Sequence, residues 1–343
     1  MPDPQPAIAK IDVHAHFLPR DLPDMKSRTG RGGWIELEHL ESGRCRMRRD
    51  GELFREITAS CFDIDARIAD LDATGVAMQA LCTVPVMFSY WAETEEALHL
   101  GRCLNDHLAE IVRQHPTRFV ALGTVPLQDP DASVRELERC VRELGMAGIQ
   151  IGTHVGPRNL DDPGIEAVLT AAADLGAAVL IHPWDMMAAD RMPKYWLPWL
   201  VGMPSEVATA IATYILGGVI DRLPNLRICF AHGGGAFPFI IGRIEHGWNV
   251  RPDLVATEQP ANPREALGRF FVDTGVHDDA AFRYLLDLVG PEAICLGSDA
   301  PFPLGEHVPG EMVESMTDLP DATRKMILED APRRFLGLPP RTS

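Results

Sequence analysis

The chain has 343 residues, 46% hydrophobic and 24% charged, which gives an ordinary globular balance with enough apolar material for a sizeable core. A formal net charge of −17 removes the basic footprint that nucleic acid or an anionic membrane requires, so any anion-binding site has to be local. The seven scattered cysteines include no C-x-x-C pair, which speaks against a disulfide framework or a zinc knuckle and suits a reducing cytosol. Neither a signal peptide nor a membrane span is expected, since no charged-then-apolar leader and no apolar run of about 18 residues is seen.

Residues 1–8 read as a Pro-rich, frayed tail. The first strand follows as Ile11-Asp12-Val13-His14-Ala15-His16-Phe17. Side chains alternate along a strand, so Asp12, His14 and His16 share one face. Two imidazoles at that spacing can share a divalent cation, although an ordinary strand with two half-buried histidines has the same pattern. The segment 18–60 is rich in Gly and Arg and too long for a bare loop. Alternating runs at 34–40, 45–49 and 53–57, the last after the turn Asp50-Gly51, predict a small β-insertion covering the site.

From residue 63 the pattern becomes regular. Helices are predicted at 63–74, 94–114, 131–144, 163–175, 204–222, 236–247, 278–289 and 321–335, with strands between them at 76–83, 118–125, 147–152, 177–182, 226–231, 269–273 and 293–298. With the first strand this predicts an α/β fold, a closed parallel (β/α)8 TIM-type barrel, as one domain over 1–343. The competitor, a doubly wound open sheet, lacks a G-x-G-x-x-G after its first strand.

Barrels of this kind carry their chemistry at the C-terminal ends of the strands. The first predicted strand ends in His14 and His16, the fifth in His182, the sixth in His232 before Gly233-Gly234-Gly235, and the eighth in Asp299. Four separate strands thus bring metal-capable side chains to one rim. His39, His99, His107, His115, His246 and His307 fall on predicted helices or loops without partners and read as surface or structural residues. His154 and His277, just after the fourth and seventh strands, are weaker neighbours of the site; Asp273 can orient a ring nitrogen or cap a helix.

This constellation resembles the amidohydrolase superfamily. Its binuclear members use a bridging carboxylated lysine from the fourth strand, and no lysine occurs here between Lys26 and Lys194. One metal is therefore expected, Zn2+ first, with Mn2+, Fe2+ and Co2+ open. The stretches 83–91, His182-Pro183-Trp184-Asp185-Met186, 195–204, 232–239 and Pro301-Phe302-Pro303-Leu304-Gly305-Glu306 narrow the resemblance to a decarboxylase branch of that superfamily. The resemblance implies non-oxidative loss of CO2 from an aminocarboxymuconate semialdehyde, with His14, His16, His182 and Asp299 as metal ligands and His232 as the proton-transfer residue. It also implies that Arg55 holds a substrate carboxylate and that Arg243 does so across a homodimer interface, with Arg49 and Trp196 as pocket neighbours. Two guanidinium groups suit a dicarboxylate, because each can grip a carboxylate through two hydrogen bonds. The chain departs from the branch at Ala300, where a Tyr is usual, and at Glu329-Asp330-Ala331 in place of Gly-Asn-Ala, which bears most on substrate range. A related hydroxybenzoate decarboxylase, a C–N or C–C hydrolase, and a metal-binding protein without chemistry are the competing readings; a base-like His232 argues against the last.

Overall fold

The computed structural model describes residues 8–341, so all of the predicted tail at 1–8 except Ile8 lies outside the described residues. Eleven strands occur among them: β1 (Lys10–His16), β2 (Ile35–His39), β3 (Cys45–Arg49), β4 (Glu52–Ile57), β5 (Val76–Cys82), β6 (Phe119–Gly123), β7 (Gly148–Gly152), β8 (Ala178–His182), β9 (Arg227–Phe230), β10 (Phe271–Asp273) and β11 (Ile294–Cys295). β1 and β5 to β11 form one eight-stranded parallel sheet in chain order. The segment after β11 bonds back to β1 through Val13 N to Leu296 O (2.9 Å), Asp299 N to His14 O (2.8 Å) and His16 N to Ala300 O (2.7 Å). The expected barrel is thereby closed, with the end of β1 tied directly to the end of the eighth strand.

The strands are short and buried on both faces because helices cover them outside. Ile149, Ile151, Val179, Ile181, Ile228 and Phe230 share one core cluster with Val168 and Leu169 of the helix Pro163–Leu175 and Ile211 and Ile215 of the helix Met203–Leu216. Each such side chain contributes about 1.5–3 kcal/mol by leaving water. Asp63, Asp129, Asp162 and Asp278 cap their helices by accepting first-turn amides.

The boundaries depart from expectation in three places. The predicted helix 204–222 breaks at Gly217 and Gly218, the latter at φ 71°, into Met203–Leu216 and Val219–Arg222. The run Pro198–Leu216 is long and apolar enough to cross a membrane, but Val207, Ala208, Ala210, Ile211, Tyr214 and Ile215 are buried against the barrel. β11 is shorter than the predicted 293–298 because the amide of Leu296 donates to Ile327 O (3.0 Å) rather than to a neighbouring strand. The predicted helix 321–335 contains a π-helical turn, Met326–Asp330, just before Pro332, which has no amide to offer Leu328.

β2, β3 and β4 form the expected insertion, a separate antiparallel sheet. Asp50 (φ 51°) and Gly51 (φ 85°) make the left-handed turn that joins β3 to β4. Its buried face, Ile35, Cys45, Met47 and Ile57, packs with Leu18, Val84, Val86 and Phe302, which fixes the sheet beside the barrel mouth.

One charge network lies away from that mouth. Glu136 is fully buried and accepts from Asn105 Nδ2 (2.8 Å), Arg102 Nε (3.0 Å) and Arg139 Nη2 (2.7 Å). Burial alone would raise its carboxyl, but hydrogen bonds from Arg139, Asn105 and Arg102 outweigh that and hold it below its usual range. A depressed carboxylate stabilises the fold above its unfolded value of about 4.3, and that share is lost as pH falls through the lower folded value. Glu136→Gln is expected to cost roughly 1–3 kcal/mol in urea unfolding at pH 7, the half-exposed Arg102 keeping the figure modest, with the difference shrinking in acid. Equal urea midpoints at pH 7 would contradict this.

Candidate active site

β1 brings His14 and His16 fully buried to the barrel mouth. His14 Nδ1 donates to Asp273 Oδ2 (2.8 Å), His16 Nδ1 to Thr83 O (2.9 Å) and His182 Nδ1 to Pro183 O (2.9 Å). A carbonyl or an ionised carboxylate can only accept, so each tethered ring carries its proton on Nδ1 and turns the lone pair of Nε2 inward. The Nε2 atoms of His14 and His16 are 3.2 Å apart. Asp299 Oδ1 lies 2.8 Å from His16 Nε2, 3.4 Å from His14 Nε2 and 4.0 Å from His182 Nε2, and Asp299 Oδ2 lies 3.7 Å from His232 Nε2. His182 Nε2 is buried without a hydrogen-bond partner. Lone pairs facing one another beside a carboxylate are unfavourable unless a cation is shared among them, so these residues fit a divalent ion.

The electrostatics agree. Burial pushes His16 down and His182 well down, toward the neutral form that ligates metal. Burial would lower His14 too, but its hydrogen bond to Asp273 and the charge of Asp299 outweigh it, and His14 rises. Asp299, which burial would raise, is held well below the carboxylate range by His16, His182 and His232. One ligand atom each from His14, His182, His232 and Asp299 lie within 4.8 Å of one another, and His16 makes the shortest approach to Asp299. Five groups thus face one point where four ligands were expected.

His232 stands at φ 57° after β9, followed by Gly233, Gly234 and Gly235 at φ 61°, 76° and 60°. A Cβ on Gly233 would lie 2.2 Å from Val276 Cγ1, and one on Gly235 would lie 2.3 Å from Pro204 O, so both backbone conformation and packing demand glycine there. Gly233 N donates to Asp273 Oδ1 (2.8 Å). Asp273 therefore ties the His14 ring to the His232 turn, and Asp278 caps the next helix instead.

A largely apolar cavity of about 320 Å³ opens onto these groups, with Trp184, Trp196, Trp199, Phe302, Arg55 and His232 in its wall. Arg55, on β4, has its guanidinium carbon 4.3 Å from the Phe302 ring centroid and forms no hydrogen bond or ion pair through its side chain among the described residues. Trp196 lines the cavity as expected. Arg49 does not: it stands at the hairpin end of β3, over Phe54 (5.2 Å), and reaches the cavity only through that ring. Arg243 is exposed on the helix Phe237–Val250, outside its own chain's cavity. His277 lines the cavity, whereas His154 is turned away onto Gly156 O (2.9 Å) and Asp185 O (3.2 Å). A second cavity of similar volume shares His232, His277 and Asp299 and adds the polar side chains of Thr274, Asp279 and Glu306. Thr83 and Asp12 had no role in the sequence expectation. Thr83 acts through its carbonyl, which no side-chain pattern reveals, but Asp12 shares the face of His14 and His16 and was open to view.

The amidohydrolase family pattern matches residues 11–338. The chain belongs to the amidohydrolase family. This amidohydrolase is 52% identical over 331 residues to the 2-amino-3-carboxymuconate-6-semialdehyde decarboxylase of Dictyostelium discoideum, covering 96% of this chain and 92% of that one. It is 40% identical to the Caenorhabditis elegans protein of the same name, over 89% and 88% of the two chains. Among solved structures, 5-carboxyvanillate decarboxylase from Sphingomonas paucimobilis shares the fold with a TM-score of 0.80 at 24% identity, covering 97% of this chain and 100% of that one. A Polaromonas dihydroxybenzoic acid decarboxylase with bound manganese does so at 0.75 and 22%, over 96% and 97%. The resemblance carried by the motifs is borne out. Ala300 takes part in this amidohydrolase through its backbone, accepting from His16 N (2.7 Å) and donating to Ser298 Oγ (3.1 Å), so the small side chain leaves barrel closure intact and changes only the rim.

Proposed function

We propose that this amidohydrolase decarboxylates 2-amino-3-carboxymuconate 6-semialdehyde to 2-aminomuconate 6-semialdehyde, without an oxidant, as a cytosolic step of tryptophan (kynurenine) or nitroaromatic catabolism. The names of the two relatives quoted above, and the extent of the match to them, support the reaction class. The observation that carries the substrate is Arg55, an unpaired guanidinium facing an apolar cavity beside a cation-competent cluster. In this reading His14, His16, His182 and Asp299 hold one divalent ion, Zn2+ by preference for a three-histidine, one-carboxylate set. When bound, such an ion supplies Lewis-acid stabilisation of charge that develops on the substrate.

The chain's own residues do the rest. Arg55 grips a carboxylate through two hydrogen bonds, its plane held against Phe302. Trp184, Trp196 and Trp199 exclude water from the conjugated chain. As the bond from C3 to its carboxylate breaks, the electron pair stays on C3 and a proton takes the place of CO2. His232 Nε2 is the group positioned to deliver that proton. The exposed Phe239 and Tyr195, 68% and 80% accessible, and the outward Arg243 fit a homodimer in which Arg243 enters the partner's site. Seven unpaired cysteines fit the cytosol.

CO2 release together with loss of the conjugated chromophore tests the reaction; release of amine or acid without CO2 would make it a hydrolase instead. A hydroxybenzoate is the second reading, favoured by the aromatic cavity wall, and the same CO2 assay on 2,6-dihydroxybenzoate separates the two. Arg55→Ala is expected to lower kcat/KM by about 10- to 100-fold, mostly through KM, and Arg55→Lys to recover only part of it. Wild-type kinetics in Arg55→Ala would remove the arginine from substrate binding.

A further inference from the structure

Behind the metal-capable cluster lies a buried polar chain to which the reaction assigns no part. Asp12, Gln79, Arg67 and Ser298 are 0%, 1%, 1% and 2% exposed. Asp12 Oδ2 accepts from Gln79 Nε2 (2.7 Å) and Ser298 Oγ (2.6 Å), and Asp12 Oδ1 accepts from His14 N (3.1 Å) and Ser298 N (3.0 Å). Gln79 Oε1 accepts in turn from Arg67 Nη1 (3.1 Å). Arg67 Nη2 donates to His16 O (2.8 Å) and its Nε to Ser60 O (2.6 Å). A carboxylate and a guanidinium are thus both buried and do not touch; one glutamine amide lies between them, its carbonyl toward the cation and its N–H toward the anion. Burying two charges is costly unless every lone pair and proton is satisfied, and this arrangement satisfies them through neutral groups.

The places where the relay ends are telling. It holds the backbone amide of His14, the backbone carbonyl of His16, and Ser298 immediately before Asp299; Ser298 Oγ also accepts from Ala300 N (3.1 Å) immediately after it. Asp299 itself sits at φ 56°, a conformation that needs support from its neighbours. Apart from the Arg67 Nε bond to Ser60 O, the relay's outer bonds reach the main chain of His14, of His16 and of the residues flanking Asp299, and none reaches the cation-competent point itself.

We propose that Arg67, Gln79 and Asp12 form a positioning relay that sets the spacing of His14 and His16 against Asp299 and so determines the affinity of this site for its cation. The inference rests on the metal reading given above. A strut that merely closed the barrel would change stability and leave metal affinity alone.

The relay's polarity can be reversed. Asp12→Asn alone sets two N–H donors against each other, because Gln79 Nε2 already points there. Gln79→Glu alone sets two carboxylates face to face. In the double variant the new amide at position 12 donates to the new carboxylate at position 79, which then pairs directly with Arg67. Metal-stripped proteins titrated with Co2+ and followed by the visible ligand-field band provide the readout, with thermal melts of the metal-free forms alongside. Each single variant is expected to bind Co2+ about 10- to 100-fold more weakly with an altered band, and the double variant to regain most of that affinity and the wild-type band. Ser298→Ala, a milder change, should weaken binding in the same direction and serves if a single relay variant does not fold. Wild-type Co2+ affinity in Asp12→Asn or Ser298→Ala, or a double variant no better than the singles, would overturn the relay. Failure of the wild-type protein to bind Co2+ would overturn the metal reading instead.

Discussion

Replacing His14 or His16 with alanine should leave a folded barrel with neither bound metal nor turnover. The two Nε2 atoms stand 3.2 Å apart, each oriented by a tether on its other nitrogen, to Asp273 and to Thr83 O. Removing one ring deletes a ligand and leaves its tether unmatched, so the cation loses one of the histidines that hold it. Metal analysis of the purified variants should fall from about one ion per chain to background, together with CO2 release. Full occupancy in both variants would contradict the assignment. Acid should mimic the substitution. A protonated imidazole has no lone pair to give, and His14 is raised above the ordinary histidine value, so proton competition begins on the alkaline side of about 6.5 and grows as pH falls. Chelator should therefore strip the wild-type protein faster at pH 6 than at pH 8; equal rates would remove His14 from the ligand set.

His232→Asn should keep the metal and lose about 10²- to 10⁴-fold in kcat, the range for removal of a general acid–base group. Asparagine is the informative choice because His232 stands at φ 57°, and Asn tolerates the left-handed region better than most side chains. The distances alone would let His232 ligate, at 3.7 Å from Asp299 Oδ2, so the metal content of this variant carries as much weight as its rate. Metal retained with turnover lost makes His232 the proton-transfer residue. Loss of both would make it a ligand, and an unchanged rate would end its catalytic role.

Much of this was legible in the residues themselves. Strand and helix periods are local properties, so the eight strand segments and the insertion follow from short-range pattern. His14, His16, His182, His232 and Asp299 could be picked out because strand ends are visible in sequence and a barrel brings all strand ends to one rim. Errors arose where a distant partner decides. The break at Gly218 and the two-residue β11 depend on packing and on Ile327 O. Arg49 and Arg55 both belong to the insertion and look alike in sequence, but the hairpin register sends only Arg55 to the cavity.

Residue types and their periodicity by themselves determined eight alternating strand and helix segments, metal-capable side chains at their ends and the absence of a bridging lysine, since strand and helix periods are local and the lysine count is composition. Only the tertiary structure decided that the lone pairs converge, that Asp273 orients His14 from 259 positions away, and that Asp12 reaches Ser298 across 286. Those contacts exist only once the eighth strand closes on the first, and closure is a property of the whole chain rather than of any stretch of it.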